Sequence, residues 1–140
     1  MDIEYIREWF VFADRNLAIA QHLKLTFQPV PLEDICYNCQ QAVEKYLKGS
    51  LLCFLPETLP PRTHDLVDLC KQCAKHDASF MQLITICAAV SPFGVMPRYP
   101  QEIYIDEPLM QKVLTYAVQV QDFAPIAQLR QALENNDESN

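Results

Sequence analysis

Apolar residues recur three and four positions apart along most of the chain, which is the spacing of one face of an α-helix. The clearest run lies near the N-terminus, where Asp2 can cap a first helix that ends at about Lys24. The predicted buried stripe of this helix comprises Ile6, Phe10, Ala13, Leu17 and Ala20.

A second helix is predicted between Pro31 and Pro56, because the apolar spacing resumes after the first proline and stops before the second. Gly49 lies inside it and weakens a helix by about 1 kcal/mol relative to alanine. We therefore expect another backbone to approach the helix closely there. The predicted stripe comprises Leu32, Ile35, Cys39, Ala42, Tyr46 and Ser50, widened by Cys36, Val43, Leu47, Leu51 and Phe54.

Three further helices are predicted from residues that can cap a helix start. Thr63 can cap a short third helix, and either Asp77 or Ser79 can open a fourth. Asp106 can cap a final helix, which Pro125 must kink because proline removes one backbone hydrogen bond.

The proline-rich stretch 91–105 is predicted to be a loop. Five helices with mostly short connections predict an all-α, five-helix up-and-down bundle. We expect this bundle to occupy residues 1–133 and the polar residues 134–140 to form a disordered tail.

Composition and charge argue against several classes of fold and function. Only two glycines occur, which is too few for the tight turns of an all-β fold. The net charge of −7 argues against a broad DNA-binding surface, because such surfaces neutralise phosphates with basic side chains. The stretch Ile84–Val90, apolar except for Thr85, is too short to span a membrane, and the acidic start Met1–Glu4 differs from a secretory signal. A cytoplasmic location is the expectation.

Six cysteines include two C-x-x-C pairs, Cys36/Cys39 and Cys70/Cys73. A four-thiolate zinc site is one interpretation of this pattern. The other is that a three-residue spacing also marks the buried face of a helix, where reduced cysteines pack as small apolar side chains. Both pairs fall on predicted apolar stripes, so we expect neither a metal site nor a cofactor.

Five residues are candidates for ligand binding. Lys45 and Lys48 follow the polar edge of the second helix, His64 stands at the start of the third, and Arg98 and Tyr99 lie between two prolines. If three separate segments bring them together, they form a small positive pocket for a phosphate-bearing ligand or an acidic partner. The structural alternatives are an exposed ion pair on the helix, a histidine bound to loop backbone and an arginine that pins its loop.

Three of these segments also resemble one family. The run QQAVEKYLK at 40–48, Thr63-His64-Asp65-Leu66 and Arg98-Tyr99-Pro100 resemble, in order, landmarks of the HEPN domain (higher eukaryote and prokaryote nucleotide-binding). The resemblance implies a helical bundle, commonly a homodimer, often encoded beside a minimal nucleotidyltransferase. A nucleotide ligand and a toxin–antitoxin-like pair are the corresponding expectations.

Some members of that family are ribonucleases that use an arginine, four to six further residues and a histidine in the later helices. No histidine follows His76 in this chain, and Arg15 and His22 have the spacing only on the first helix. We therefore expect a binding module with no catalytic residues. The alternatives are a HEPN ribonuclease toxin and a purely structural helical interaction domain.

Apolar residues on the first two helices exceed one stripe, since Trp9 stands beside Phe10 and Tyr46 beside Leu47. A monomer would leave the additional apolar surface in contact with water. A two-fold homodimer is therefore predicted, in agreement with the resemblance.

Overall fold

A computed structural model describes residues 2–95 and 104–138, and all regular structure within these ranges is helical. The all-α prediction is confirmed, with six α-helices in the described ranges instead of five. None of them is both long enough and apolar enough to cross a membrane. The helices are α1 (Ile3–Thr26), α2 (Leu32–Phe54), α3 (Leu66–Ala74), α4 (Ile84–Val90), α5 (Glu107–Gln121) and α6 (Ala124–Glu138), with 3₁₀ segments at Ala78–Leu83 and Ser91–Gly94.

The first helix forms as its pattern predicts. The Asp2 side chain accepts a hydrogen bond from the backbone N–H of Glu4 at 2.9 Å, so it caps the helix start. The five residues of the predicted stripe are the five that α1 buries. The helix runs two residues past Lys24, and the Thr26 hydroxyl donates to the His22 carbonyl at 2.8 Å.

Helix α2 is the centre of the bundle, because it packs against α1, α3, α4, α5 and α6. At Gly49 it meets the Phe10 ring of α1, and a Cβ at this position would lie 3.0 Å from Phe10 Cζ. The close approach expected at Gly49 therefore exists, but an aromatic ring makes it instead of a backbone. Tyr46 is fully buried in the core, so it adds nothing to the exposed apolar surface that we expected beside Leu47.

The C-terminal part departs from the prediction of one kinked helix. Asp106 caps α5 by accepting from the Leu109 N–H at 2.9 Å, as expected. The helix then ends at Gln121, and Pro125 lies in the first turn of a separate helix, where its missing N–H costs nothing. Because α6 continues to Glu138, it is helical over part of the segment 134–140; the division into bundle and tail stays a prediction.

Both C-x-x-C pairs lie on buried helix faces, Cys36/Cys39 on α2 and Cys70/Cys73 on α3. Burial raises the pKa of the Cys36 and Cys39 thiols to about 12, which keeps them protonated at neutral pH. The Cys70 thiol lies 3.1 Å from the Phe80 carbonyl oxygen and donates to it. Among the described residues no group of three or more His, Cys, Asp or Glu side chains is placed to hold a metal ion.

Candidate functional site

A row of buried polar side chains follows one face of α2, with Gln40, Glu44 and Lys48 one helical turn apart. Glu44 is the centre of the row. Its carboxylate accepts from Lys48 Nζ at 3.1 Å and from Gln40 Nε2 at 3.2 Å. The polar edge on which Lys48 was expected is buried, since Glu44 and Lys48 are each only 5 % exposed. His64 contacts Glu44 on this face, and the 3₁₀ segment Ser91–Gly94 packs on α2.

His64 completes the row from the connection that leads into α3. Its Nδ1 lies 3.1 Å from each oxygen of the Glu44 carboxylate. An ionised carboxylate only accepts hydrogen bonds, so Nδ1 carries a proton, and the other ring nitrogen takes no part in the contact with Glu44. The His64 side chain is 75 % exposed and that of Glu44 is 7 % exposed. Glu44 thus holds the imidazole through Nδ1, while most of the His64 side chain is open to solvent. We call Gln40, Glu44, Lys48 and His64 the Glu44 cluster.

The Glu44 carboxylate is held in its charged form. Burial alone would raise the pKa of Glu44. The hydrogen bonds from His64 and Gln40, together with the charge of Lys48, outweigh that effect and bring the pKa below its ordinary value. The Glu44 cluster therefore contains a buried anion beside a buried cation at neutral pH.

Gln40 connects this cluster to two other segments. Its Nε2 also donates to the His64 carbonyl at 3.3 Å, and its Oε1 accepts from Gln41 Nε2 at 2.8 Å. Gly94 packs directly on it, since a Cβ at Gly94 would lie 2.9 Å from Gln40 Cδ. The end of the second 3₁₀ segment is thereby held against the row on α2.

The start of α3 differs by two residues from the prediction. Asp65 is the cap, accepting from the Val67 N–H at 3.0 Å, whereas the Thr63 hydroxyl accepts from the Asp65 N–H at 3.1 Å. His64 therefore precedes the helix instead of standing in its first turn. A second contact fixes this junction, because the Leu66 N–H donates to Ser91 Oγ at 3.1 Å.

Lys45 lies with a different set of neighbours from Lys48. Its Nζ donates to Asn16 Oδ1 at 2.6 Å, and Asn16 in turn donates to Asn38 Oδ1 at 3.0 Å. Burial lowers the pKa of Lys45, and nearby Arg15 adds to this effect while Glu44 opposes it. The structure thus brings His64 and Lys48 together on Glu44 and places Lys45 against α1.

Two further candidates, Arg98 and Tyr99, lie outside the described residues. Their place in a pocket with His64 stays a prediction. The possible ribonuclease pair on α1 is described: Arg15 and His22 are both exposed. The Arg15 guanidinium lies over the Phe12 ring at 4.9 Å from its centroid.

A second polar cluster, which no pattern in the sequence indicated, joins four helices. Asp14 of α1 accepts two hydrogen bonds from the Arg130 guanidinium of α6, at 3.0 and 2.7 Å. The Tyr46 hydroxyl of α2 donates to Asp14 Oδ1, and Gln121 of α5 donates to both Asp14 and the Tyr46 oxygen. We call these four residues the Asp14 cluster.

Electrostatics in the Asp14 cluster favour the carboxylate. Burial would raise the pKa of Asp14, but the hydrogen bonds from Arg130, Tyr46 and Gln121 hold it below its ordinary value. Burial and the neighbouring Asp14 raise the pKa of Tyr46, so the phenol stays protonated and acts as a donor. No local spacing signals these partners, because more than thirty residues separate Asp14 from each of them.

A comparison with known proteins identifies the family. A search of curated proteins and a search of solved structures each found no similar chain. The model of the HEPN domain family matches residues 6–127, which covers most of the chain and all of helices α2 to α5. The chain therefore belongs to the HEPN domain family.

Proposed function

We propose that this HEPN domain is a binding module without catalysis of its own, acting in a toxin–antitoxin-like pair with a nucleotidyltransferase. In this proposal His64 binds a phosphate group of a nucleotide or an acidic group of the partner protein. The observation that carries the proposal is the state of His64, whose ring is anchored on Glu44 through Nδ1 while most of the side chain is open to solvent.

An anchored and exposed imidazole is suited to anion recognition. Because Glu44 fixes the ring orientation, less side-chain entropy is lost when a ligand binds. When the ring is protonated, its second nitrogen donates a charge-assisted hydrogen bond to a phosphate or carboxylate oxygen. Glu44 and Lys48 pair with each other, which supports a positioning role for Lys48 instead of direct contact with a ligand.

The surrounding chain supports extending the site beyond His64. Gly94 packs on Gln40, which is itself bonded to the His64 carbonyl. Arg98 and Tyr99 follow Gly94 by four and five residues in the sequence. An arginine supplies a planar fork of donors that matches phosphate oxygens, so Arg98 is the second residue that we propose for the ligand.

The proposal of no catalysis rests on what surrounds His64. In the part of the chain that the structure describes, the ring contacts of His64 are to Glu44, and no hydroxyl or thiol lies within hydrogen-bonding distance of the ring. Covalent catalysis by a protein nucleophile needs such a group beside its base, so the described contacts of His64 do not support that reaction class. The sequence also has no histidine after His76, where the family ribonucleases have theirs.

Calorimetry with nucleotides, and with whichever protein co-purifies with the native chain, tests the proposal. His64→Ala and Arg98→Ala are expected to keep the fold and to weaken binding by about 1.5 kcal/mol or more, the size of a hydrogen bond to a charged group. His76→Ala is the matched control, because His76 is an exposed histidine that belongs to neither candidate site. Unchanged binding in both test variants would leave a purely structural interaction domain.

A ribonuclease is the second candidate, favoured by the exposure of both Arg15 and His22 on α1. Seven residues place them about 10.5 Å apart along the helix axis. If they act as a catalytic pair, the purified protein should cleave RNA, and both Arg15→Ala and His22→Ala should abolish the activity. Cleavage that depends on both residues would overturn the non-catalytic proposal, whereas absence of cleavage supports it.

A further inference from the structure

The last helix, α6, buries fewer apolar side chains than α5, the helix before it. Both helices are 15 residues long. Five side chains of α5 are buried, whereas the buried apolar side chains among the described ones of α6 are Ile126 and Leu133. Most of α6 also lies beyond residue 127, where the match to the family model ends. A helix with few buried apolar contacts is the part of a fold that opens locally at the lowest free-energy cost.

A cavity of about 330 Å³ lies between α6 and the helices on which it packs. It is lined by Ile3 and Ile6 of α1, by Cys53 of α2, and by Leu129 and Leu133 of α6. Protein interiors are close-packed, so side chains that face a cavity lose part of their possible contact. Apolar packing therefore holds α6 incompletely.

Two ion pairs from one turn of α6 add to this attachment. Arg130 bonds to both oxygens of Asp14 on α1, and Glu134 Oε1 lies 3.0 Å from Nε of Arg7 on the same helix. All four side chains are partly exposed to solvent. Dissolved salt screens ion pairs of this kind, so the attachment of α6 depends on ionic strength.

The bundle can lose Arg130 without leaving a carboxylate unpaired. Tyr46 of α2 and Gln121 of α5 also donate hydrogen bonds to Asp14, and neither belongs to α6. The free-energy cost of an unsatisfied acceptor therefore does not arise when α6 leaves. Undocking of α6 is for this reason less costly than the bidentate pair alone suggests.

The connection before α6 supplies a fixed point for such a movement. Asp122 and Phe123 are the two residues that join α5 to α6. The Phe123 ring packs edge to face on Phe80, with ring centroids 5.5 Å apart. Because Phe123 stays anchored in this way, α6 can turn about the residues that follow it without disturbing α5.

We propose that α6 is a displaceable helix, which the two ion pairs hold over the apolar cavity and which salt releases while the rest of the bundle stays folded. Release uncovers the side chains of α1 and α2 that line the cavity. The two ion pairs thereby control access to an apolar surface. This proposal uses no residue of the Glu44 cluster, so it does not rest on the proposed function.

The alkylation rate of Cys53 tests the proposal, because Cys53 lines the cavity and the other five cysteines are buried. Burial raises the pKa of the Cys53 thiol to about 12, which keeps it protonated and slow to react. Iodoacetamide is an uncharged reagent, and mass spectrometry of peptides assigns the modified residue. The rate at Cys53 is expected to rise at least about fivefold between low salt and about 1 M sodium chloride, where the screening length is about 3 Å.

Variants of the ion pairs separate their effect from other effects of salt. Arg130→Met should raise the rate at Cys53 in low salt at least about fivefold, and Glu134→Gln about twofold, because the first removes two hydrogen bonds and the second one exposed pair. In the double variant the rate should no longer depend on salt. Arg62→Met changes an exposed arginine in the connection before α3 and is the matched control, which should react like the wild type.

Hydrogen exchange gives a second readout on the unmodified chain. The backbone amides of α6 are expected to exchange faster than those of α5 and to become faster still as salt is added. A rate at Cys53 that does not depend on salt would overturn the proposal, as would α6 amides that exchange as slowly as those of α5. If the five buried cysteines react in step with Cys53, the whole bundle unfolds together and α6 has no opening of its own.

Discussion

The Glu44 cluster and the Asp14 cluster are each built around one carboxylate, but they differ in what they present to solvent. The Glu44 side chain is only 7 % exposed, whereas the His64 side chain that it contacts is largely exposed to solvent. Asp14 is more exposed, yet the Arg130 guanidinium holds both of its oxygens. The Glu44 cluster therefore presents a histidine to solvent, whereas the members of the Asp14 cluster bond to one another.

Their connectivity differs in the same way. Three members of the Glu44 cluster lie on α2 alone, so they add little to the cohesion of the bundle beyond holding the segment before α3. The Asp14 cluster takes one residue from each of α1, α2, α5 and α6. The comparison indicates that the Asp14 cluster stabilises the packing of the helices and that the Glu44 cluster positions a surface group.

Removal of the Glu44 carboxylate is expected to have the largest effect on stability. Glu44→Ala leaves the Lys48 ammonium buried without a counter-charge, which costs about 3 kcal/mol of the free energy of unfolding. Urea denaturation measures this loss. The control Glu44→Met/Lys48→Met replaces the pair by apolar side chains of similar volume and should lie within about 1 kcal/mol of the wild type. A single variant as stable as the double one would show that Lys48 does not depend on Glu44.

Arg130→Met is expected to cost less, about 1–2 kcal/mol, because it removes two hydrogen bonds from a partly exposed carboxylate. Methionine keeps the contact of residue 130 with the Phe10 ring, over which the guanidinium lies at 5.3 Å. Tyr46→Phe removes a third donor from the same carboxylate. In a double-mutant cycle the two changes should couple by at least about 0.5 kcal/mol. Strict additivity would mean that the Asp14 cluster is not one network.

The sequence predicts the local features of the fold better than it predicts the two clusters. The stripe of α1 and the caps Asp2 and Asp106 follow from local spacing and hydrogen-bonding chemistry, and the structure confirms them. Glu44 and Lys48 could be paired from their i,i+4 spacing, but their burial depends on segments far away in the chain. Burial is a tertiary property, and helix periodicity alone does not contain it.

The Asp14 cluster could not be predicted at all, since Arg130 lies more than one hundred residues from Asp14. The same limit applies to the break between α5 and α6. Pro125 signalled a disturbance there, but a kinked helix and a new helix start are both compatible with a proline. Packing of α6 on α1 and α2 accompanies the second outcome.

Gly94→Ala is expected to disturb the Glu44 cluster alone, by about 1 kcal/mol, because its Cβ would displace the Gln40 amide and break a hydrogen bond. Thermal denaturation measures the change. The matched background is Gln40→Ala, in which the space at residue 94 is already open. In the Gln40→Ala background, Gly94→Ala should cause no further loss of stability. An equal loss of stability in both backgrounds would show that Gly94 does not pack on Gln40.

The smallest expected effect is on the pH dependence of stability, and it separates the two carboxylates. The pKa of Glu44 in the folded chain lies below its ordinary value of 4.5, so an unfolded chain binds the proton more readily. The stabilisation from Glu44 is therefore fully present above about that pH and is lost as the pH falls through the folded pKa. In Glu44→Met/Lys48→Met this contribution is absent, whereas that of Asp14, whose pKa is also lowered, remains. Urea midpoints measured from neutral to acidic pH should thus fall less steeply for the double variant than for the wild type. If the two plots of midpoint against pH are parallel, ionisation of Glu44 does not stabilise the folded chain.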